Sequence, residues 1–449
     1  DQWAIHQRID KDSQMSQLII EGGHRLSGTI TASGNKNAAL KLIPACLMTD
    51  EPVVLHNIPD IADVRTAIAI MKDLGAEVTS LGDGSWRIHA AEITKSEINA
   101  ELGSRIRASF VFSGPMLARM GRITLPGPGG DVIGGRPLDT NIQGLQALGV
   151  QVTLSRDGTF EMRTDGLQGA GYLLQAEASV TATENTIMAA VLAKGDTIID
   201  NAAREPHTED LCRFLNQLGA QIEGAGTSRV RIHGVDRLSG GEYRIGADYM
   251  EVGSFIGAAA LTGGEVRIKQ AEPANLGMIG QVYDRLGVHW LEEGEDIIMP
   301  ANQALEIVPA LGGRIPEIKP HPWPGFPPDL MSIAVVIACQ ANGSILLHDW
   351  MYESRFFFVD KLVFMGARIV LCDPHRVLVQ GPSALYANPQ GVTSPDIRAG
   401  MAMVLAALCA RGTSTIHNAQ QIERGYERIE QKLQLLGANI RRIGDEDRA

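Results

Sequence analysis

The sequence predicts an α/β protein assembled from six copies of one β-α-β-α-β-β unit. A short phrase recurs six times: Leu74-Gly-Ala-Glu-Val78, Leu148-Gly-Val-Gln-Val152, Leu218-Gly-Ala-Gln-Ile222, Leu286-Gly-Val-His-Trp290, Met365-Gly-Ala-Arg-Ile369 and Leu436-Gly-Ala-Asn-Ile440. The glycines stand 74, 70, 68, 79 and 71 residues apart, a near-constant period that marks repeated supersecondary units. Each phrase reads as a helix end, a glycine cap and the start of a strand. Upstream of each phrase lies a helix that is apolar almost all round and so must be buried on every side.

In order, the first unit predicts a buried helix over 37–47, a strand over 53–56, an amphipathic helix over 63–74 and a strand at 86–89. The second has a buried helix over 108–119, a strand over 121–125 and an outer helix over 139–148. Buried helices follow at 185–193, 252–261, 330–341 and 399–410, each leading into a strand, at 196–199, 264–268, 343–347 and 412–416. The last unit adds an outer helix over 424–436. A repeat array of this kind also suits a binding scaffold without chemistry, and the periodicity leaves that open.

Composition narrows the class. With 44% apolar and 20% charged residues the 449-residue chain has ample core for two or three domains. A net charge of −12 and only 5% aromatics argue against nucleic-acid binding and anionic membranes, so an anionic ligand needs local cations. Five scattered cysteines read as reduced thiols rather than disulfides or a metal site. No run reaches the ~18–20 apolar residues of a membrane helix, and the polar stretch 1–16 reads as a disordered extension, so a cytoplasmic monomer is the default expectation.

Two features point to a site. The buried helices begin with polar or charged groups: Lys36-Asn37, Arg105-Ile-Arg107, Thr183-Glu-Asn185, Asp248, Pro328-Asp329 and Pro395-Asp396-Ile-Arg398. Capping accounts for Thr183, Asp329 and Asp396, but cations at Lys36, Arg107 and Arg398 oppose the helix dipole unless a ligand anion offsets them. The second feature is Leu125-Pro-Gly-Pro-Gly-Gly-Asp-Val-Ile-Gly-Gly-Arg136, where glycines would hinge a lid, Asp131 stands alone as an acid and Arg136 could clamp an anion. Arg424 beside Gly425 is a further ligand candidate, whereas His89, His233 and His348 have strand settings and read as structural.

With these residues in view, the chain resembles the enolpyruvyl transferases, and among them the UDP-N-acetylglucosamine 1-carboxyvinyltransferases, over 17–445. The motifs are Ser33-Gly-Asn-Lys-Asn-Ala-Ala39, Ile106-Arg-Ala-Ser109, the loop 128–137, Thr181-Ala-Thr-Glu-Asn185, Ala202-Ala-Arg-Glu-Pro206, Pro324-Gly-Phe-Pro-Pro-Asp329, Glu353-Ser-Arg-Phe356 and Arg424-Gly-Tyr-Glu427. The resemblance implies two inside-out α/β barrels of three repeats each. One comprises 17–35 with 248–445, the other 36–247 with the mobile loop 125–136, and 446–449 is a tail. It implies transfer of the enolpyruvyl group of phosphoenolpyruvate to the 3′-hydroxyl of UDP-N-acetylglucosamine in peptidoglycan synthesis, with no cofactor, no metal and small molecules as the only partners. The same chemistry on shikimate 3-phosphate, or a non-catalytic UDP-sugar-binding paralogue, are the alternatives.

By resemblance Lys36 contacts phosphoenolpyruvate and Asn37 the sugar, and Arg136, Arg398 and Arg424 surround phosphate and carboxylate with Arg107 and Arg355 in support. Asp329 meets the 3′-hydroxyl, Asp396 and Ile397 touch the loop and phosphate, and Met351 contacts substrate. Arg136, Pro137 and Asp139 with Ser179 and Thr181 form the uridine pocket. The loop usually carries cysteine where Asp131 stands. To donate a proton near neutral pH, Asp131 must have its pKa raised well above the ordinary ~3.9. Its side chain also lacks the thiol that fosfomycin alkylates, which implies resistance. Asn141, His207 and Glu177 are further departures, from His, an acid and a cation respectively.

Overall fold

The computed structural model describes residues 16–130, 135 and 137–444. Six sheets are present among them, one for each repeat. The third repeat shows the complete unit. Strand Leu173–Leu174 is followed by helix Val180–Val191, strand Asp196–Asp200, helix Pro206–Gln217 and strands Gln221–Glu223 and Arg229–His233. The first two strands pair in parallel and the rest antiparallel. Each of the six repeated glycines adopts a left-handed backbone, with φ of 109°, 89°, 105°, 77°, 103° and 94° at Gly75, Gly149, Gly219, Gly287, Gly366 and Gly437. That conformation ends the outer helix and turns the chain into the next strand, which is why the phrase recurs.

Three repeats are completed by strands distant in sequence. Gln17–Glu21 lies between Thr413–His417 and Asn439–Ile443, closing the sixth repeat with the N-terminal segment. Gly28–Thr31 pairs in parallel with Val266–Lys269 and opens the fourth. Gly241–Arg244 pairs in parallel with Val53–His56 and opens the first. The hydrophobic residues accordingly form two cores, one from Leu18–Ala32 together with Ala247–Ile440, the other from Ala38–Ile245. In the first core the helices Tyr249–Thr262, Met331–Gln340 and Ile397–Cys409 pack on one another, with sheets outside them. Their near-absence of polar residues follows from having a neighbour on every face.

The expected helices form with shifted starts. The third buried helix begins at Val180, so Thr183 is internal and its hydroxyl donates to Gln175 Oε1 and Ser179 O instead of capping. The outer helix expected over 424–436 is broken: a 3₁₀ turn Ala419–Arg424 precedes helix Ile429–Leu435, with Arg428 left-handed at φ 44° between them. Ser16, placed with the N-terminal extension in the sequence reading, is buried, and its hydroxyl donates to Gln420 Oε1 at 3.1 Å. The expected disorder of 1–15 falls outside the described residues. Among the described residues no helix is long and apolar enough to cross a membrane. All five cysteines are free, but Cys372 is exposed rather than buried.

The chain passes between the two cores twice, side by side. Gly34 bridges Ala247, Asn35 N donates to Gly246 O and Asp248 N donates to Ser33 O. Asp248 then serves two helices: Oδ1 caps its own at Met250 N (2.9 Å), and Oδ2 accepts the Lys36 N–H (3.0 Å). A Cβ on Gly34 would stand 1.7 Å from Asn57 O. Gly34→Ala should therefore lower stability by about 1–3 kcal/mol, read as a lower melting temperature by calorimetry.

Candidate active site

A cavity of about 560 Å³ opens between the two cores. It is lined by the first residues of all six buried helices or the 3₁₀ turns leading into them: Lys36 and Asn37, Arg107 and Ala108, Val180 and Thr181, Tyr249 and Met250, Pro328 and Asp329, and Ile397 and Arg398. The repeat is what makes this convergence possible. Every copy buries one helix in the same orientation, so the positive ends of six helices share one wall system.

Six cations and four carboxylates line the cavity among the described residues: Lys36, Lys41, Arg107, Arg355, Arg398 and Arg424 against Asp63, Glu177, Glu205 and Asp329. Twelve of the sequence-predicted residues lie on it: Lys36, Asn37, Arg107, Pro137, Ser179, Thr181, Asp329, Met351, Arg355, Ile397, Arg398 and Arg424. Asp139 is exposed at the start of helix Asp139–Ala147, outside the lining. Asp396 is also outside it and caps helix Ile397–Cys409 at Arg398 N (2.8 Å) and Ala399 N (2.9 Å). Asp131 and Arg136 fall outside the described residues.

The cations do not await a ligand for their counter-charge, as their helix-start positions had suggested. Arg398 Nε reaches Asp329 Oδ2 at 3.0 Å, and Arg355 reaches Asp329 Oδ1 at 3.2 Å. Asp329 is thus no helix cap but the shared partner of two buried guanidiniums. Arg398 also lies over the Tyr426 ring, 5.1 Å from its centroid. Burial opposes the charge of Arg398, but Tyr426, Asp329 and Asp248 outweigh it and raise its pKa above the ordinary arginine value. Lys36 Nζ pairs with Asp63 Oδ2 at 2.9 Å.

Behind Lys41 and His207 of the lining lies a buried polar group. Lys41 Nζ lies 3.3 Å from Glu184 Oε2, Thr208 Oγ1 donates to Glu184 Oε1 at 3.2 Å, and the Tyr249 hydroxyl is 3.4 Å from His207 Nδ1. Burial, then Lys41, push the His207 imidazole well below the ordinary histidine range, so it is neutral at pH 7. Burial lifts the Glu184 carboxyl to about 7 despite Lys41.

Asn141 is absorbed into structure: its amide donates to Thr181 Oγ1 and its carbonyl accepts from Asn185 Nδ2, each at 3.3 Å. Glu177 lines the cavity and accepts from Thr140 Oγ1 at 3.3 Å. His89, His233 and His348 hold Asp50 O, Asp196 and Glu317 outside the cavity, as their strand settings predict.

Sequence reasoning missed Asp63, Lys41 and the aromatic residues Trp323 and Trp350 on the cavity wall, while Glu205 falls within a motif of the resemblance. Lys41 carried a signal, a lone charge inside an apolar helix, which calls for a buried partner. Asp63 carried none, because an acid in the first turn of an outer helix is ordinary.

The family model for EPSP synthase (3-phosphoshikimate 1-carboxyvinyltransferase) matches residues 20–433. A UDP-N-acetylglucosamine 1-carboxyvinyltransferase of Bradyrhizobium diazoefficiens is 53% identical over 427 residues, covering 95% of this chain and 98% of the relative. One from Treponema denticola is 49% identical, covering 95% and 99%. The chain belongs to the UDP-N-acetylglucosamine 1-carboxyvinyltransferase family. Solved structures share its fold. The enolpyruvyl transferase NikO from Streptomyces tendae superposes with a TM-score of 0.84 at 23% identity, covering 96% of this chain and 99% of that one. An EPSP synthase from Acinetobacter baumannii gives 0.72 at 18%, covering 95% and 100%. The family model carries the EPSP synthase name, while these two relatives carry the UDP-sugar name.

The Glu184 carboxyl has a pH signature. Between about 4.5 and about 7 the folded chain keeps a proton that the unfolded chain releases, so this group's contribution to stability is lost as pH rises through that window. Over the whole shift the loss is about 3 kcal/mol. Glu184→Gln should flatten this slope, measured as melting temperature against pH from 5 to 7.5.

Proposed function

We propose that the chain transfers the enolpyruvyl group of phosphoenolpyruvate to the 3′-hydroxyl of UDP-N-acetylglucosamine and releases phosphate. The observation that carries this reading is the meeting, among the described residues, of six helix N-termini and six cations on one cavity of about 560 Å³. Phosphoenolpyruvate brings about three negative charges, and fixed cations bind it and stabilise charge developing during the reaction.

In the addition step the acceptor oxygen bonds to C2 while C3 takes a proton, giving a tetrahedral ketal. In the elimination step C3 gives up a proton, the C2–O bond to phosphate breaks and the leaving group departs with that electron pair. The proton of the acceptor hydroxyl is the one that ends on phosphate or solvent. Asp329 is the group placed to receive the hydroxyl proton, with Arg355 and Arg398 fixing both of its oxygens. Lys36, Arg398 and Arg424 serve the phosphate and carboxylate. Pro137, Ser179 and Thr181 lie where a nucleotide diphosphate would enter beside the helix start at Val180. In this reading Asp131 is the acid above C3, and the bodies 17–35 with 248–445 and 36–247 close on the substrates.

The deciding measurement is phosphate release from phosphoenolpyruvate that requires UDP-N-acetylglucosamine. Release with shikimate 3-phosphate instead would reassign the acceptor, and binding of the UDP-sugar without release would make the chain a binding protein. Lys36→Ala should lower kcat/KM at least about 100-fold in the same assay. The wild-type protein should stay active in fosfomycin and gain no adduct at the loop, while Asp131→Cys should be inactivated and gain one adduct by mass spectrometry.

A further inference from the structure

We infer that Asp63 is a positioning residue of the reaction: it ties the two bodies of the fold together and fixes the spacing of Lys36 and Arg424, the cations that receive phosphoenolpyruvate. This rests on the function proposed above.

Asp63 lies in the first turn of helix Ala62–Asp73, which packs in the core formed by residues 38–245. A solvent-facing acid there would need no explanation beyond the helix dipole. Asp63 is instead buried, and a cation stands on each oxygen: Lys36 Nζ at 2.9 Å on Oδ2 and Arg424 Nε at 2.9 Å on Oδ1. Lys36 begins the first buried helix, whereas Arg424 ends the turn Ala419–Arg424 of the other body. One carboxylate therefore holds a cation from each side of the cavity.

The surrounding contacts give the bridge a fixed geometry. The far side of the Arg424 guanidinium donates to Gln421 Oε1 at 3.0 Å. Glu427 Oε1 accepts the Asp60 N–H at 3.2 Å and Glu427 Oε2 accepts from Ser33 Oγ at 2.8 Å, so segments 60–63 and 424–427 are joined at two depths. Arg428 and Asp60 form a more exposed pair at 3.4 Å.

The electrostatics explain why an acid belongs there. An ammonium and a guanidinium brought together in a buried site repel each other and pay for desolvation unless a counter-charge stands between them. Asp63 supplies the negative charge that stands between the two positive ones. Burial pushes the Asp63 carboxyl up, but Lys36 and Arg424 outweigh it and hold it below the ordinary carboxylate value, so the bridge persists across the neutral range.

The test compares Asp63→Asn, Asp63→Glu and Arg428→Gln with the wild-type protein in the phosphate-release assay. Asp63→Asn should raise KM for phosphoenolpyruvate at least tenfold and lower kcat, with KM for UDP-N-acetylglucosamine within threefold of wild type. Asp63→Glu should recover part of the loss. Arg428→Gln, which weakens the interface without touching either cation, should stay within twofold. The inference is overturned if Asp63→Asn keeps both constants for phosphoenolpyruvate within twofold. It is also overturned if both substrates lose equally as the melting temperature drops. If Asp63→Asn does not fold, Asp63→Glu decides, since a lengthened bridge should still raise KM for phosphoenolpyruvate selectively and an unchanged KM refutes it. Should the wild type release no phosphate, the functional reading fails separately. Calorimetric titration with inorganic phosphate then decides: tenfold weaker binding by Asp63→Asn supports the bridge, and equal binding refutes it.

Discussion

Positive charge cannot be gathered at one buried place without counter-charge, and the structure is arranged around that constraint. Among the described residues, six helix N-termini and six cations share a cavity of about 560 Å³. Bare, such a site would drive the two bodies apart. Acids in bridging positions make it tolerable: Asp329 holds Arg355 and Arg398, Asp63 holds Lys36 and Arg424, and Glu184 holds Lys41. Each satisfies part of the demand. A preorganised electrostatic site of this kind does not have to reorganise when an anion arrives.

The topology delivers these groups to one place economically. A unit with one buried helix points that helix's N-terminus toward the same end in every copy. Strands donated across long sequence distances, Gln17–Glu21 and Gly28–Thr31 to one body and Gly241–Arg244 to the other, place the two chain crossings side by side. Lys36 and Asp248 sit at that crossing, and one carboxylate organises the starts of two helices. Residues that line the cavity and residues that connect the two bodies therefore lie side by side.

The repeat was legible because it is written in local physics. A glycine forced into the left-handed region six times, and helices apolar on every face, leave marks that survive without a fold in view. The boundaries were less legible where tertiary bonding overrode the local pattern. Thr183 reads as a cap yet bonds Gln175, and the segment 424–436 reads as one helix yet is interrupted where Arg424 and Glu427 turn toward Asp63 and Asp60 of the other body. Asp396 reads as a helix cap, and the structure uses it as one.

The amino-acid order by itself determined the α/β class, the six units, the buried helices and most of the cations at their starts, because each depends on neighbours within about a dozen residues. The glycine-rich loop with Asp131 and Arg136 was likewise marked by composition alone. Only the tertiary structure decided which acid meets which cation. Asp63 meets Arg424 across 361 residues, and Glu184 meets Lys41 across helices of different repeats. Electrostatic pairing depends on distance in space and on burial, and neither is encoded in local sequence pattern.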